Sequence, residues 1–175
     1  MATTPAIDLN GLRRDWIGGV SGGDFFSRVS EQAAAFAACP AAAGRGVLLA
    51  ERDPVRFAAA FFAGVSLELP MILANPAWGS GEWAELKGLV HPAMVVGNVP
   101  VDPAAWEGVS NPQPGEILIP TGGTTGGVKL AIHDWASLLA ATRGLHEFLG
   151  DGPIHSCCLL PLHHVSGLMQ LVRSF

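Results

Sequence analysis

The sequence predicts a layered α/β/α fold built on a mainly parallel sheet, and three observations point there. Helical and strand patterns alternate along the chain, the order that covers a parallel sheet with crossover helices. The strand candidates are short apolar runs entered or left at glycine or proline, such as Gly46 before Val47-Leu48-Leu49 and Pro70 at Met71-Ile72-Leu73. Hydrophobic residues make up 49% of the 175, enough to fill the core of one domain or one large subdomain.

Taken in order, Asp24 is placed to cap a helix over residues 25–38, where Phe26, Val29, Ala33 and Phe36 recur on one face. Gly44-Arg45-Gly46 then releases the strand Val47-Leu48-Leu49. Asp53-Pro54 starts a second helix, because proline at the first helical position gives up an N–H that has no partner there. Gly64 ends that helix, and a strand follows at Pro70-Met71-Ile72-Leu73. Asn75-Pro76 is a turn, residues 81–87 form a short helix bearing Trp83, and Ala93-Met94-Val95-Val96 is the next strand. Residues 97–115 are rich in Pro, Gly and Asn and read as an irregular connection with one helical turn at Pro103-Ala104-Ala105-Trp106. Ile117-Leu118-Ile119 is a strand and Ala131-Ile132 a brief one. Asp134 caps a long helix that Gly150 terminates after Leu149. Cys157-Cys158-Leu159-Leu160 reads as a last, buried strand stopped by Pro161, and a helix begins in the segment that follows.

Composition bounds the function. Only 14% of residues are charged, so part of the surface is expected to face more protein than water, either a C-terminal part or a second copy of the chain. A net charge of −5 argues against a non-specific binder of nucleic acid or anionic membranes. Three cysteines, two of them adjacent, suit reduced thiols in a cytoplasmic protein better than a disulfide framework. The first ten residues lack the basic and apolar regions of a signal peptide. The most membrane-like run, residues 57–74, contains Gly64, Glu68 and Pro70 and reads as helix, turn and strand, so no integral membrane segment is expected.

The chemistry concentrates where Leu118-Ile119 runs into Pro120-Thr121-Gly122-Gly123-Thr124-Thr125-Gly126-Gly127-Val128-Lys129. Four glycines let successive N–H groups point inward, three threonines add hydroxyls, and Lys129 adds a positive charge. Such a loop suits a polyphosphate. It is not a Walker A loop, because Val128 separates Gly127 from Lys129 and Leu130 stands where a hydroxyl residue is needed. Nor does the chain contain the G-x-G-x-x-G of a dinucleotide fold.

The stretch from Thr121 to Lys129 instead resembles the phosphate-binding signature of the acyl-adenylate-forming (AMP-binding) superfamily. It departs from that pattern at Val128, where proline is usual, and at Leu130, where glycine is common. A second stretch, Leu159-Leu160-Pro161-Leu162-His163-His164-Val165-Ser166-Gly167, resembles the same superfamily's turn of proline, apolar residue, aromatic, His, x, x, Gly. His164 takes the histidine's place, and His163 stands where an aromatic such as Phe is usual. Ala63-Gly64 and the segment from Met71 to Trp78 resemble its early helix and strand less specifically. The likeness runs from about residue 45 onward, though its specific part is about two dozen residues.

The resemblance implies the N-terminal part of the adenylate-forming large domain, with the phosphate loop at 118–130, the histidine turn at 159–168, and the C-terminal lid domain absent. It also implies an AMP-forming acid–CoA ligase acting on a small carboxylic acid with ATP, Mg²⁺ and coenzyme A. Thr121, Gly122, Gly123, Thr124, Thr125, Gly126 and Lys129 would grip phosphates, and His164 would shape the acyl side. The tail around His163-His164-Val165-Ser166-Gly167 most resembles the 2-succinylbenzoate–CoA ligases of menaquinone and phylloquinone biosynthesis. Ile119-Pro120-Thr121-Gly122-Gly123, Ala131-Ile132-His133 and Ala74-Asn75-Pro76-Ala77-Trp78 resemble the cyanobacterial form of that branch. A medium- or long-chain fatty acyl-CoA synthetase and a non-catalytic nucleotide-binding fragment stand as alternatives. Without the superfamily's later motifs, this chain alone is expected to be incomplete or inactive.

Other chemistries fit less well. His155, Cys157, Cys158, His163 and His164 lie close in sequence, but neighbouring cysteines on a strand point to opposite faces and do not converge on zinc. Ser166 lacks the first half of a hydrolase elbow, G-x-S-x-G. Asp102 and Asp134 suit caps or turns, and the five tryptophans are too scattered for a base-stacking platform.

Overall fold

The strands are short and apolar because most of them are covered on both faces. In this computed structural model, which describes Ile7 and residues 9–100, 106–109, 111–121, 127–150 and 156–175, five strands form one sheet in the order β3-β1-β2-β4-β5. β1 (Val47–Ala50), β2 (Met71–Leu73), β3 (Met94–Gly97) and β4 (Glu116–Thr121) are parallel, and β5 (Lys129–Asp134) returns antiparallel along the whole of β4. Side chains alternate across the pleat. Val47, Leu49, Met71, Leu73, Ile117 and Ile119 enter one core, while Leu48, Ala50, Ile72 and Leu118 enter a second.

The first core lies under α1 (Gly22–Ala37), α3 (Pro54–Ser66), α5 (Trp135–Leu149) and α6 (Val165–Ser174). Every residue of α3 from Phe57 to Gly64 is buried, so this helix has no polar stripe there. Phe62 is its centre, with ring centroids 5.1–6.3 Å from those of Trp16, Phe25, Phe61, Trp135 and Phe175. The second core lies under α4 (Ser80–Leu89), which contributes Trp83 and Leu86. α3 carries the chain from β1 outward to β2, and α4 carries it back across β1 to β3. Right-handed crossovers in opposite directions put the two helices on opposite faces. The layered α/β/α reading therefore holds, with an antiparallel strand at one edge.

Local chemistry sets the helix ends. Asp53 accepts from the N–H groups of Val55 and Arg56, with Pro54 at the first helical position. Asp134 and Ser137 make a reciprocal capping box, and Gly150 at φ 91° closes α5. At α1 the cap is Ser21 rather than Asp24: Ser21 accepts from the Asp24 N–H at 3.1 Å, and Asp24 sits in the first turn where the helix dipole favours it. Two short helices precede and follow α1, a 3-10 turn at Leu9–Arg13 and α2 at Ala42–Arg45. Neither carries enough periodicity to be read from sequence.

Two further expectations are corrected. Gly64 does not end α3, which continues to Ser66. A Cβ on Gly64 would stand 2.0 Å from Met71 Sδ, so the glycine is there to let α3 approach β2. The end is made by Glu68, the one non-glycine at positive φ (53°) among the described residues. Around it Leu69 donates to Gly64 O and Glu68 to Val65 O, the two bonds of a Schellman turn. The second correction concerns Cys157-Cys158-Leu159-Leu160. No strand pairs with this segment, all four residues are exposed, and Cys158 Sγ instead meets the carbonyls of Leu160 and Gly167. An apolar run becomes a strand only where another strand offers its ladder. Of the helical turn read at Pro103-Ala104-Ala105-Trp106, the first three residues lie outside the described residues; Trp106 packs into the second core.

These two glycine-like positions give opposite predictions. Glu68→Gly removes left-handed strain and should raise the urea midpoint by the equivalent of about 0.5–1 kcal/mol. Gly64→Ala should lower it by about 1–3 kcal/mol through overpacking against Met71.

Candidate functional site

Parallel strands present their carboxyl ends at one edge of the sheet, and that edge is where an α/β sheet takes ligands. Here β4 ends at Thr121 and β5 begins at Lys129, the two facing each other as the last pair of the antiparallel ladder. The hydroxyl of Thr121 donates to the Lys129 carbonyl at 3.4 Å, and both side chains are exposed. Gly127 has φ 62°, a conformation that needs glycine. Gly122, Gly123, Thr124, Thr125 and Gly126 lie outside the described residues.

The histidine turn comes to the same edge. His164 donates its N–H to Pro161 O at 3.0 Å and its carbonyl accepts from Leu168, so it is the residue from which α6 starts. A Cβ on Gly167 would lie 2.2 Å from Pro161 O, so only glycine lets α6 fold back on the turn. His164 is exposed and its ring makes no capping bond.

A cleft of about 480 Å³ lies between this turn, the β4–β5 hairpin and α4. It brings Thr121 and His164 onto one wall system, whereas Lys129 does not line it and extends into solvent beside Thr121. Asn75 and Trp78, already singled out in the turn after β2, form its floor on the β2 side. Asn75 Oδ1 accepts from the Ala77 N–H at 2.9 Å, which shapes that turn.

Three lining residues were not readable as site residues. Glu82 and Glu85 stand three apart on α4 and share one helix face. Glu85 Oε2 accepts the Val128 N–H at 2.5 Å, a contact across 43 residues that no local pattern announces. His163, read only as a substitute for an aromatic, is buried at 9% exposure and lies 5.8 Å ring to ring from His164. Burial first, and the neighbouring His164 second, push its pKa down from 6.5 to about 4. The His163 ring is therefore uncharged at neutral pH. No lysine or arginine is among the described lining residues.

No group of three or more His, Cys, Asp or Glu among the described residues could hold a metal, and His155 lies outside them. No described helix is long and apolar enough to cross a membrane.

No protein-family model matches the chain, and neither does any curated protein. Solved structures do match. The O-succinylbenzoate CoA synthetase MenE from Bacillus subtilis, in complex with AMP, aligns at a TM-score of 0.65 and 18% identity, over 89% of this chain and 47% of that one. The chain has the adenylate-forming fold. An E. coli MenE variant with bound OSB-AMS aligns at 0.68 and 23% identity, covering 89% of this chain and 37% of that one. The N-terminal domain of FACL13 from Mycobacterium tuberculosis aligns at 0.68 and 17%, covering 89% and 48%. The chain thus spans less than half the length of these structures and matches their N-terminal portion.

In this fold His163 makes stability depend on pH in a stated direction. Its folded pKa lies below its unfolded value, so the folded state favours the neutral ring. That contribution is complete above pH 6.5 and is lost as the pH falls from 6.5 towards about 4. The slope reaches at most about 1.4 kcal/mol per pH unit. Chemical denaturation of the wild-type chain and of His163→Phe across this range should show a smaller acid loss in the variant. Parallel curves would mean that His163 is not held neutral by the fold.

Proposed function

We propose that the chain is the phosphate-gripping front part of an ATP-dependent, AMP-forming acid–thiol ligase. The observation that supports this most is that the Thr121–Lys129 hairpin end and the His164 turn border one edge of a sheet with the adenylate-forming fold. In the proposed reaction a carboxylate attacks the α-phosphate of ATP and expels pyrophosphate, leaving an acyl-adenylate. The thiol of coenzyme A then displaces AMP to give the thioester. The first step accumulates negative charge on phosphate oxygens, and preorganised donors stabilise it best.

Thr121, Lys129 and the N–H groups and hydroxyls of Gly122, Gly123, Thr124, Thr125 and Gly126 are the residues we assign to the β- and γ-phosphates. The exposed hydroxyl of Thr121 beside the exposed Lys129 suits a triphosphate in charge and donor type. Mg²⁺ would neutralise phosphate charge while keeping mostly phosphate and water oxygens, which asks little of the protein. His164 is assigned to the acyl side, where it borders the cleft.

For the acid we put 2-succinylbenzoate first, which would place the enzyme in menaquinone or phylloquinone biosynthesis. Its support is the sequence around His164 and the MenE structures among those that align. The cleft wall favours a second reading, an uncharged acyl tail such as a fatty acid. Glu82, Glu85 and a neutral His163 offer no countercharge to the second carboxylate of 2-succinylbenzoate.

Two measurements test the proposal. Isothermal titration of MgATP into the chain and into Lys129→Ala should show affinity about tenfold weaker in the variant; equal affinities remove Lys129 from its role. Acid-dependent pyrophosphate release, measured on this chain and on the complete reading frame that carries it, should be near background for the chain alone. With the complete frame, preference for octanoate over 2-succinylbenzoate and benzoate would select the second reading.

A further inference from the structure

We propose that Glu85 is a positioning residue: it ties the closing arm of the phosphate loop, residues 127–129, to α4, and so sets where Lys129 stands. The phosphate part of this inference rests on the reading under Proposed function; the tie itself does not. Val128 lies just outside the β4–β5 ladder, whose last pair is Thr121 with Lys129, so its N–H has no strand partner. Glu85 Oε2 takes it. The same oxygen would be 3.5 Å from a Cβ on Gly127, so the carboxylate lies along the arm at the residue whose φ of 62° turns the chain into β5.

The support behind Glu85 is rigid. Its helix is anchored by Trp83 and Leu86, fully buried two residues before and one after it. The arm and the start of β5 pack on the same core through the partly buried side chains of Val128 and Leu130. A carboxylate joining two segments that share one core can fix their spacing without being buried itself. The residue identity matters as well. A proline at 128 would lock φ and carry no N–H, whereas valine leaves φ free and keeps a donor that needs a partner. Glu85 supplies by hydrogen bonding the restraint that the valine backbone lacks.

The test is amide hydrogen exchange at Val128 in the 175-residue chain, without nucleotide, followed by titration with MgATP. Glu85→Ala should speed exchange at Val128 about fivefold, the worth of one net hydrogen bond. The paired amides of β4 and β5 should not change. Glu85→Gln keeps an acceptor oxygen and should restore most of the protection. MgATP affinity should follow the same order, weakest in Glu85→Ala and recovered in Glu85→Gln. In a Val128→Pro background, where the donor is gone, Glu85→Ala should cost nothing further. Unchanged Val128 exchange in Glu85→Ala overturns the tie. Tighter MgATP binding in both Glu85 variants also overturns it, since the carboxylate would then be a rival of the phosphates. If the wild-type chain binds no MgATP while Val128 exchange still responds to Glu85, the tie stands and the phosphate-gripping role proposed for this chain by itself fails.

Discussion

The proposed site depends on β4 being held from four sides. β2 pairs one edge and β5 the other, while Ile117 and Ile119 fill the first core and Leu118 the second. A strand restrained on both edges and both faces has little freedom to shift or roll. Its end, Thr121, is therefore a fixed point from which a glycine-rich loop departs. The phosphate role proposed for residues 122–126 needs both ends of that segment held in place.

The two cores that hold β4 differ in kind. The first is thick and aromatic, organised around Phe62 and closed by four long helices. The second has fewer buried residues, the aliphatic strand side chains Leu48, Ala50, Ile72 and Leu118 under Trp83, Leu86, Val90 and Trp106. The cleft opens beside the smaller one, where α4 carries polar side chains between its buried ones. The heavy core supplies rigidity, and the light core leaves room for a ligand at the sheet edge.

Much of the fold is legible in the sequence because its signals are local. β1, β2 and β4 are runs of apolar residues with no polar alternation, as two-sided burial demands, and Asp53-Pro54 and Asp134 announce their helices by capping chemistry. The misreadings arise where one residue type serves two purposes. Ser21 and Asp24 are both good caps three residues apart, and only the path of the preceding chain chooses between them. Gly64 serves close packing against Met71 while Glu68 takes the left-handed turn that glycine usually occupies. Cys157 to Leu160 has strand composition but no partner, and partners are not written in the segment itself. At the site, the glycine–threonine loop and the histidine turn are strings that can be recognised one at a time. The Glu85 contact with Val128 and the burial of His163 exist only once distant segments meet.

The hairpin pairing of Thr121 with Lys129 carries a consequence for how such a loop can vary. Side chains on β5 alternate with a period of two, so a slip of one position against β4 would send Lys129 to the opposite side of the sheet. It would also turn Leu130 away from the second core. A residue gained or lost within β5 would shift that register along the rest of the strand. The strand that follows the loop therefore acts as a ruler that must be copied without error.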